Sequence, residues 1–89
     1  MAAPDTFTDW FGAVLDEELA KVPVEKRAAW LQRQRNVYIR RHRRFHETDG
    51  DSEAIAPHPK FGVPTAFDML AFITIIDQRM VQHCGMVLA

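Results

Sequence analysis

The sequence predicts an all-α fold, a three-helix antiparallel bundle. Three observations lead there: an apolar stripe at helical spacing from Phe7 to Val22, a break rich in proline and glycine between residues 47 and 64, and paired start and stop signals around Ala66–Cys84. With 89 residues the chain makes one domain, residues 1–89. A chain of this size buries only about 60–65% of the surface that its unfolded form exposes, so it needs reinforcement. Cys84 is the only cysteine, which excludes an internal disulfide and leaves oligomerisation as the expected staple.

The first helix is expected over about residues 6–22. Phe7, Trp10, Phe11, Val14, Leu15, Leu19 and Val22 recur at spacings of three and four and share one face. Asp5 or Thr6 can cap its start, because a side-chain oxygen there accepts from an otherwise orphan backbone N–H. Asp16, Glu17 and Glu18 fall on the wet side. Pro23 has no N–H to donate and disfavours helix at Val22, so it marks the boundary.

The second helix is expected over about 23–46, with Pro23 in its first turn, where the missing N–H costs little. Trp30, Leu31, Val37, Tyr38 and Phe45 form its apolar stripe, interrupted by Gln34 and Arg41. Gly50 and the polar residues around it stop the helix. A long loop, 47–64, follows. Pro57, Pro59, Gly62 and Pro64 oppose regular structure there, while Ile55, Phe61 and Val63 can pin it to the helices.

The third helix is expected over about 66–84. Thr65 followed three residues later by Asp68 resembles a capping box, and Gly85 can supply the left-handed residue that ends the helix. A helical wheel groups Ala66, Leu70, Ile73, Met80 and Cys84 as an inward face, flanked by Met69, Ile76 and Val81. Phe72 and Ile75 then fall outward with Asp68 and Arg79. A helix apolar nearly all round wants cover on every side. The expectation is therefore a central third helix shared in a homodimer, with Phe72, Ile75, Arg79 and Asp68 at the interface. Asp77 lands among apolar residues and needs a cation, either Arg41 or another arginine of the second helix.

The net charge is −1, so no global basic field marks the chain for nucleic acid or membrane. The charges are nonetheless segregated. Arginines run from Arg33 to Arg44, and Glu47, Asp49, Asp51 and Glu53 follow at once. Within the segment Arg40-Arg41-His42-Arg43-Arg44-Phe45-His46, the guanidinium forks suit carboxylate or phosphate. Consecutive arginines there point around most of the helix, and the helix dipole favours cations at such an end in any case. The expected partner is a protein with an acidic surface, docked by Arg40, Arg41, Arg43 and Arg44 with Tyr38, Phe45 and Phe61 as aromatic anchors. Nucleic acid is the less favoured partner of the same arginines, and an accessory subunit of a larger enzyme is a further alternative.

His42 and His46 share a face, but the order H-R-R-F-H-E places no glutamate between them and the arginines repel a cation, so no metal site is expected. Asp49–Glu53 superficially resembles a calcium loop, yet glycine is missing at its sixth position and the twelfth is Lys60. His83 and Cys84 are neighbours that point about 100° apart on a helix. No nucleophile–base pair and no phosphate-binding glycine loop occurs. The sequence thus predicts a binding protein rather than an enzyme: a small regulator, inhibitor or adaptor, with no cofactor. Met1-Ala-Ala-Pro-Asp lacks the basic and apolar regions of a signal peptide, and the apolar run Ala66–Ile76 is too short to span a bilayer. A cytoplasmic protein without membrane contact is the expectation.

Overall fold

In the computed structural model, residues 5–47 and 57–84 are described. Three α-helices appear in order, α1 (Phe7–Ala20), α2 (Arg27–Glu47) and α3 (Ala66–Cys84), with a short 3-10 turn, Val24–Lys26, before α2. No strand occurs among the described residues.

Thr6 caps α1. Its backbone is extended, and its hydroxyl accepts from the Asp9 N–H at 3.1 Å. At the other end Lys21 and Val22 close tight turns onto the Glu18 and Leu19 carbonyls. Pro23 then takes an extended ψ of 141°. The chain therefore enters α2 through the 3-10 turn rather than by an α-turn at Pro23, and the second α-helix starts four residues later than its sequence suggests. Arg27 clamps this corner by donating from Nε to the Val22 carbonyl at 2.9 Å.

The expected capping box of α3 is formed. The Thr65 N–H donates to Asp68 Oδ2 at 2.9 Å, and the Asp68 N–H donates to Thr65 Oγ1 at 3.1 Å. Two orphan donors are satisfied by one reciprocal pair. Gly85, the expected stop, lies outside the described residues.

α3 packs against both α2 and α1, more extensively against α2. The core joins Phe7, Phe11, Leu15 and Leu19 of α1, Leu31 of α2, and Phe72, Ile76 and Met80 of α3. Met69 is buried as well. Phe72 is the keystone. Its ring stacks on Phe11 at 4.2 Å between centroids and meets Tyr38 edge-on at 5.7 Å, so it fills the groove between α1 and α2.

This corrects the wheel read from the sequence. Phe72, expected outward, is 1% exposed, and Ile75 packs against the core. Leu70 and Val81, expected inward or flanking, are 49% and 54% exposed. The reason is that α3 has two neighbours. Phe72 and Arg79 reach α1 while Asp77 reaches α2, so the buried arc is wide and its centre is turned by about 75° from the expected one. The molecule is flat, 37 × 33 × 18 Å. Eighteen ångströms is about two helix layers, so the described residues cover α3 on one side only.

Of the long loop beyond α2, residues 57–64 are described. His58 and Gly62 exchange both backbone hydrogen bonds at 2.8 Å, closing a tight turn. Gly62 turns the corner at φ +78°, where a side chain would be strained. The His58 ring sits inside this turn and accepts at Nδ1 from the N–H groups of Lys60 and Phe61. Phe61 stacks on Phe7 at 5.4 Å and pins the turn to α1 as expected. Val63 does not help, being 42% exposed. Ile55 lies outside the described residues.

Candidate functional site

α2 carries no Asp or Glu between Glu25 and Glu47, yet holds seven arginines in that interval. Their roles divide by helix face. Arg27 is tied to the corner at Val22. Arg35 faces α3 and donates from Nε to Asp77 Oδ1 at 2.6 Å, both side chains being about 30% exposed. Arg41 lies over the Tyr38 ring at 5.1 Å, a cation–π contact. The carboxylate of Asp77 is therefore met by a second-helix arginine as expected, but by Arg35 in place of Arg41.

Arg33, Arg40, Arg43 and Arg44 remain on the outside, all exposed, with Asn36 between them. Their spacing of i, i+7, i+10 and i+11 confines them to an arc of about 100° and spreads them along roughly 16 Å of helix. Judged within residues 40–44 alone, the arginines scatter around the helix. Adding Arg33 and removing Arg41, which turns to Tyr38, leaves one row. None of the row's residues is apolar, and no carboxylate of the described residues is interleaved in it.

The expected aromatic anchors stand elsewhere. Tyr38 meets Phe11 edge-on at 5.2 Å as well as Phe72, and Phe61 is stacked on Phe7, so both are engaged inside the molecule. Phe45 is half-buried. His58 packs edge-on against Trp10 at 4.7 Å and against Phe61 at 4.7 Å, completing an aromatic cluster at one end of α1.

The expected interface residues of α3 are also committed within the chain. Asp68 caps its own helix. Arg79 grips Asp16 of α1 with both forks, Nε to Oδ1 at 2.5 Å and Nη2 to Oδ2 at 3.1 Å. It passes over Gly12, where an added Cβ would meet its Nη2 at an ordinary contact distance of 3.5 Å. Asp16, expected only to be wet, thus joins α1 to α3. Beside this pair opens a cleft of about 480 Å³ lined by Leu19, Ala20, Arg27, Gln82 and His83. Arg27 and Arg79 there already have partners, and no Ser, Thr or Cys lines it among the described residues.

Among the described residues, no three His, Cys, Asp or Glu side chains gather as metal ligands. No helix there is long and apolar enough to cross a membrane. The side chains of His46 and Cys84 lie outside the described set. The outward row of α2 is therefore the candidate site, and what it can do chemically is bind anionic groups through paired N–H donors. Comparison with known protein families, curated proteins and solved structures returns no match.

Proposed function

We propose that this chain is a small binding protein, a regulator, inhibitor or adaptor, that docks an acidic protein surface through the outward face of α2 and acts by occluding it. The observation that carries this reading is the row of Arg33, Arg40, Arg43 and Arg44, which no carboxylate interrupts before Glu47. A row of one sign on a rigid helix steers encounter and fixes register, and guanidinium forks pair bidentately with carboxylates. Arg41 flanks the row and holds a cation–π contact with Tyr38 beside it. A cytoplasmic site of action, an antiparallel order of the three helices and assembly of two copies belong to the same proposal. A catalytic partner would make the chain an accessory subunit by the same chemistry.

A second reading is favoured by one feature: the row itself holds no apolar residue. Protein interfaces are centred on apolar or aromatic anchors, whereas a phosphate backbone needs only cations and hydrogen-bond donors. Nucleic acid is therefore the alternative partner.

One experiment addresses both. Arg33, Arg40, Arg43 and Arg44 are replaced together by glutamine, and the folded variant and the parent are used to capture partners from the native cell. The protein reading expects capture of an acidic protein by the parent only. Capture of the same proteins by both forms overturns it. The nucleic-acid reading expects binding to random duplex DNA whose log affinity falls with log salt at a slope of about −3.6 for four phosphate contacts. No binding at low salt excludes it.

A further inference from the structure

The outward face of α3 is a stripe of uncharged residues: Phe67, Leu70, Thr74, Gln78 and Val81, all exposed. Phe67 is 78% exposed, more than any other large hydrophobic side chain among the described residues. Spacings of three, four, four and three put the five within an arc of about 80° along roughly 21 Å of helix. With Val63 they leave roughly 400 Å² of apolar surface in water, the size at which a patch on a monomer usually marks a binding site.

From this stripe we infer that α3 pairs antiparallel with α3 of a second copy, about a two-fold axis at Thr74. The inference rests on the proposal that two copies assemble and supplies the face by which they do so. The pattern is its own mirror. Thr74 is midway, Phe67 and Val81 stand seven places away on either side, and Leu70 and Gln78 stand four places away. Antiparallel pairing sets Phe67 on Val81 and Leu70 on Gln78, twice over, as an isologous interface requires. No charge lies on the stripe, so two identical copies bring no like charges together. The nearest carboxylate, Asp77, is engaged by Arg35.

The centre is also prepared for burial. The Thr74 hydroxyl donates to the Leu70 carbonyl at 3.0 Å, so its donor is satisfied within its own helix. The area fits a reversible dimer. Two stripes bury roughly 800 Å² of apolar surface, and with a polar rim the pair approaches the lower bound of about 1,200 Å² for specific interfaces. Because the molecule is only two helix layers thick, α3 offers this face without displacing any other described element.

The test uses sedimentation velocity on the full chain at 5–200 µM (concentrations of about this order span reversible dimers) with two kinds of variant. Wild type should shift from one copy to two over that range. Phe67→Glu should remain monomeric throughout with an unchanged helical circular-dichroism spectrum, and the milder Phe67→Ser serves where the charge disturbs folding. In a Cys84→Ser background, Thr74→Cys should form a disulfide-linked pair on mild oxidation. Phe67→Cys should link poorly to itself and readily to Val81→Cys. A wild type that is monomeric at the highest concentration overturns both the assembly proposal and this seam. A dimer that persists in Phe67→Glu overturns the seam and leaves assembly standing. Preferential self-linking of Phe67→Cys overturns the antiparallel pairing.

Discussion

Replacing Phe72 with alanine removes the ring that fills the groove between α1 and α2. The side chain is 1% exposed, stacked on Phe11 at 4.2 Å and in edge contact with Phe7 and Tyr38. Three helices supply the cavity wall, so it cannot collapse by moving a single side chain. Phe→Ala changes in such settings cost about 3–5 kcal/mol. An 89-residue domain has a total stability of about 4–13 kcal/mol. The variant should therefore unfold at markedly lower urea, with Tm lower by roughly 15–30 °C, or fail to fold. Phe72→Leu retains most of the volume and should cost less than about 1.5 kcal/mol. Phe67→Ala, on the exposed face of the same helix, should change stability by no more than about 0.5 kcal/mol at low micromolar concentration. Urea titrations followed by circular dichroism read all three. A Phe72→Ala midpoint equal to wild type, or a Phe67→Ala loss as large as that of Phe72→Ala, would refute the assignment of inner and outer faces on α3.

The Arg35–Asp77 pair should show coupling of about 1 kcal/mol in a double-mutant cycle with Arg35→Gln and Asp77→Asn, because the pair is only partly exposed and directly hydrogen-bonded. Arg41→Gln paired with Asp77→Asn should show none, and coupling there as large as that of Arg35 would contradict the contact. The two glycines among the described residues should respond in opposite directions. At Gly12 an added Cβ would meet Arg79 Nη2 at an ordinary 3.5 Å, so Gly12→Ala should be neutral or stabilise by up to about 1 kcal/mol through helix propensity. At Gly62 the positive φ makes Gly62→Ala destabilise by about 1 kcal/mol, although nothing obstructs the new methyl group. Thermal melts of the two variants check both signs.

Much of the fold is legible locally. The Thr6 cap, the Thr65–Asp68 box, the break at Pro23 and the phenylalanine–leucine repeat of α1 depend on neighbours within four residues, and each appears in the structure. The facing of α3 is less legible, because its apolar residues surround most of the helix and several centres of burial fit them. What fixes the centre is the presence of two packing neighbours, a tertiary fact. One clue was nonetheless available in the sequence: Asp77 and Arg79 are opposite charges two residues apart, about 200° around the helix, so each needs a different partner helix. Turning one toward Asp16 and the other toward the arginines of α2 puts Phe72 and Ile76 inward and Phe67 and Leu70 outward. The arginine row of α2 was legible too, but only over a window of three turns that includes Arg33. A window of five residues mixes Arg41, which belongs to Tyr38, with those of the outer face.

The outward face of α3 follows from the composition of α2. Seven arginines in one helix leave few positions for apolar side chains, and Leu31 is its only residue in the buried core cluster. α2 meets α3 largely through half-buried side chains, among them Tyr38, and an ion pair. Such a helix cannot by itself dry a neighbour as apolar as α3. α1 contributes four residues of the core cluster and covers the flank that α2 leaves. No further helix remains among the described residues to cover the third side. The same arginines that form the proposed binding row and its neighbours therefore limit the cover available to α3. Replacing Arg33 or Arg40 with leucine would add apolar area only on the outer face of α2, where it cannot reach α3. A change that brought more cover to α3 would have to come from outside these three helices, which is the place proposed for a second copy.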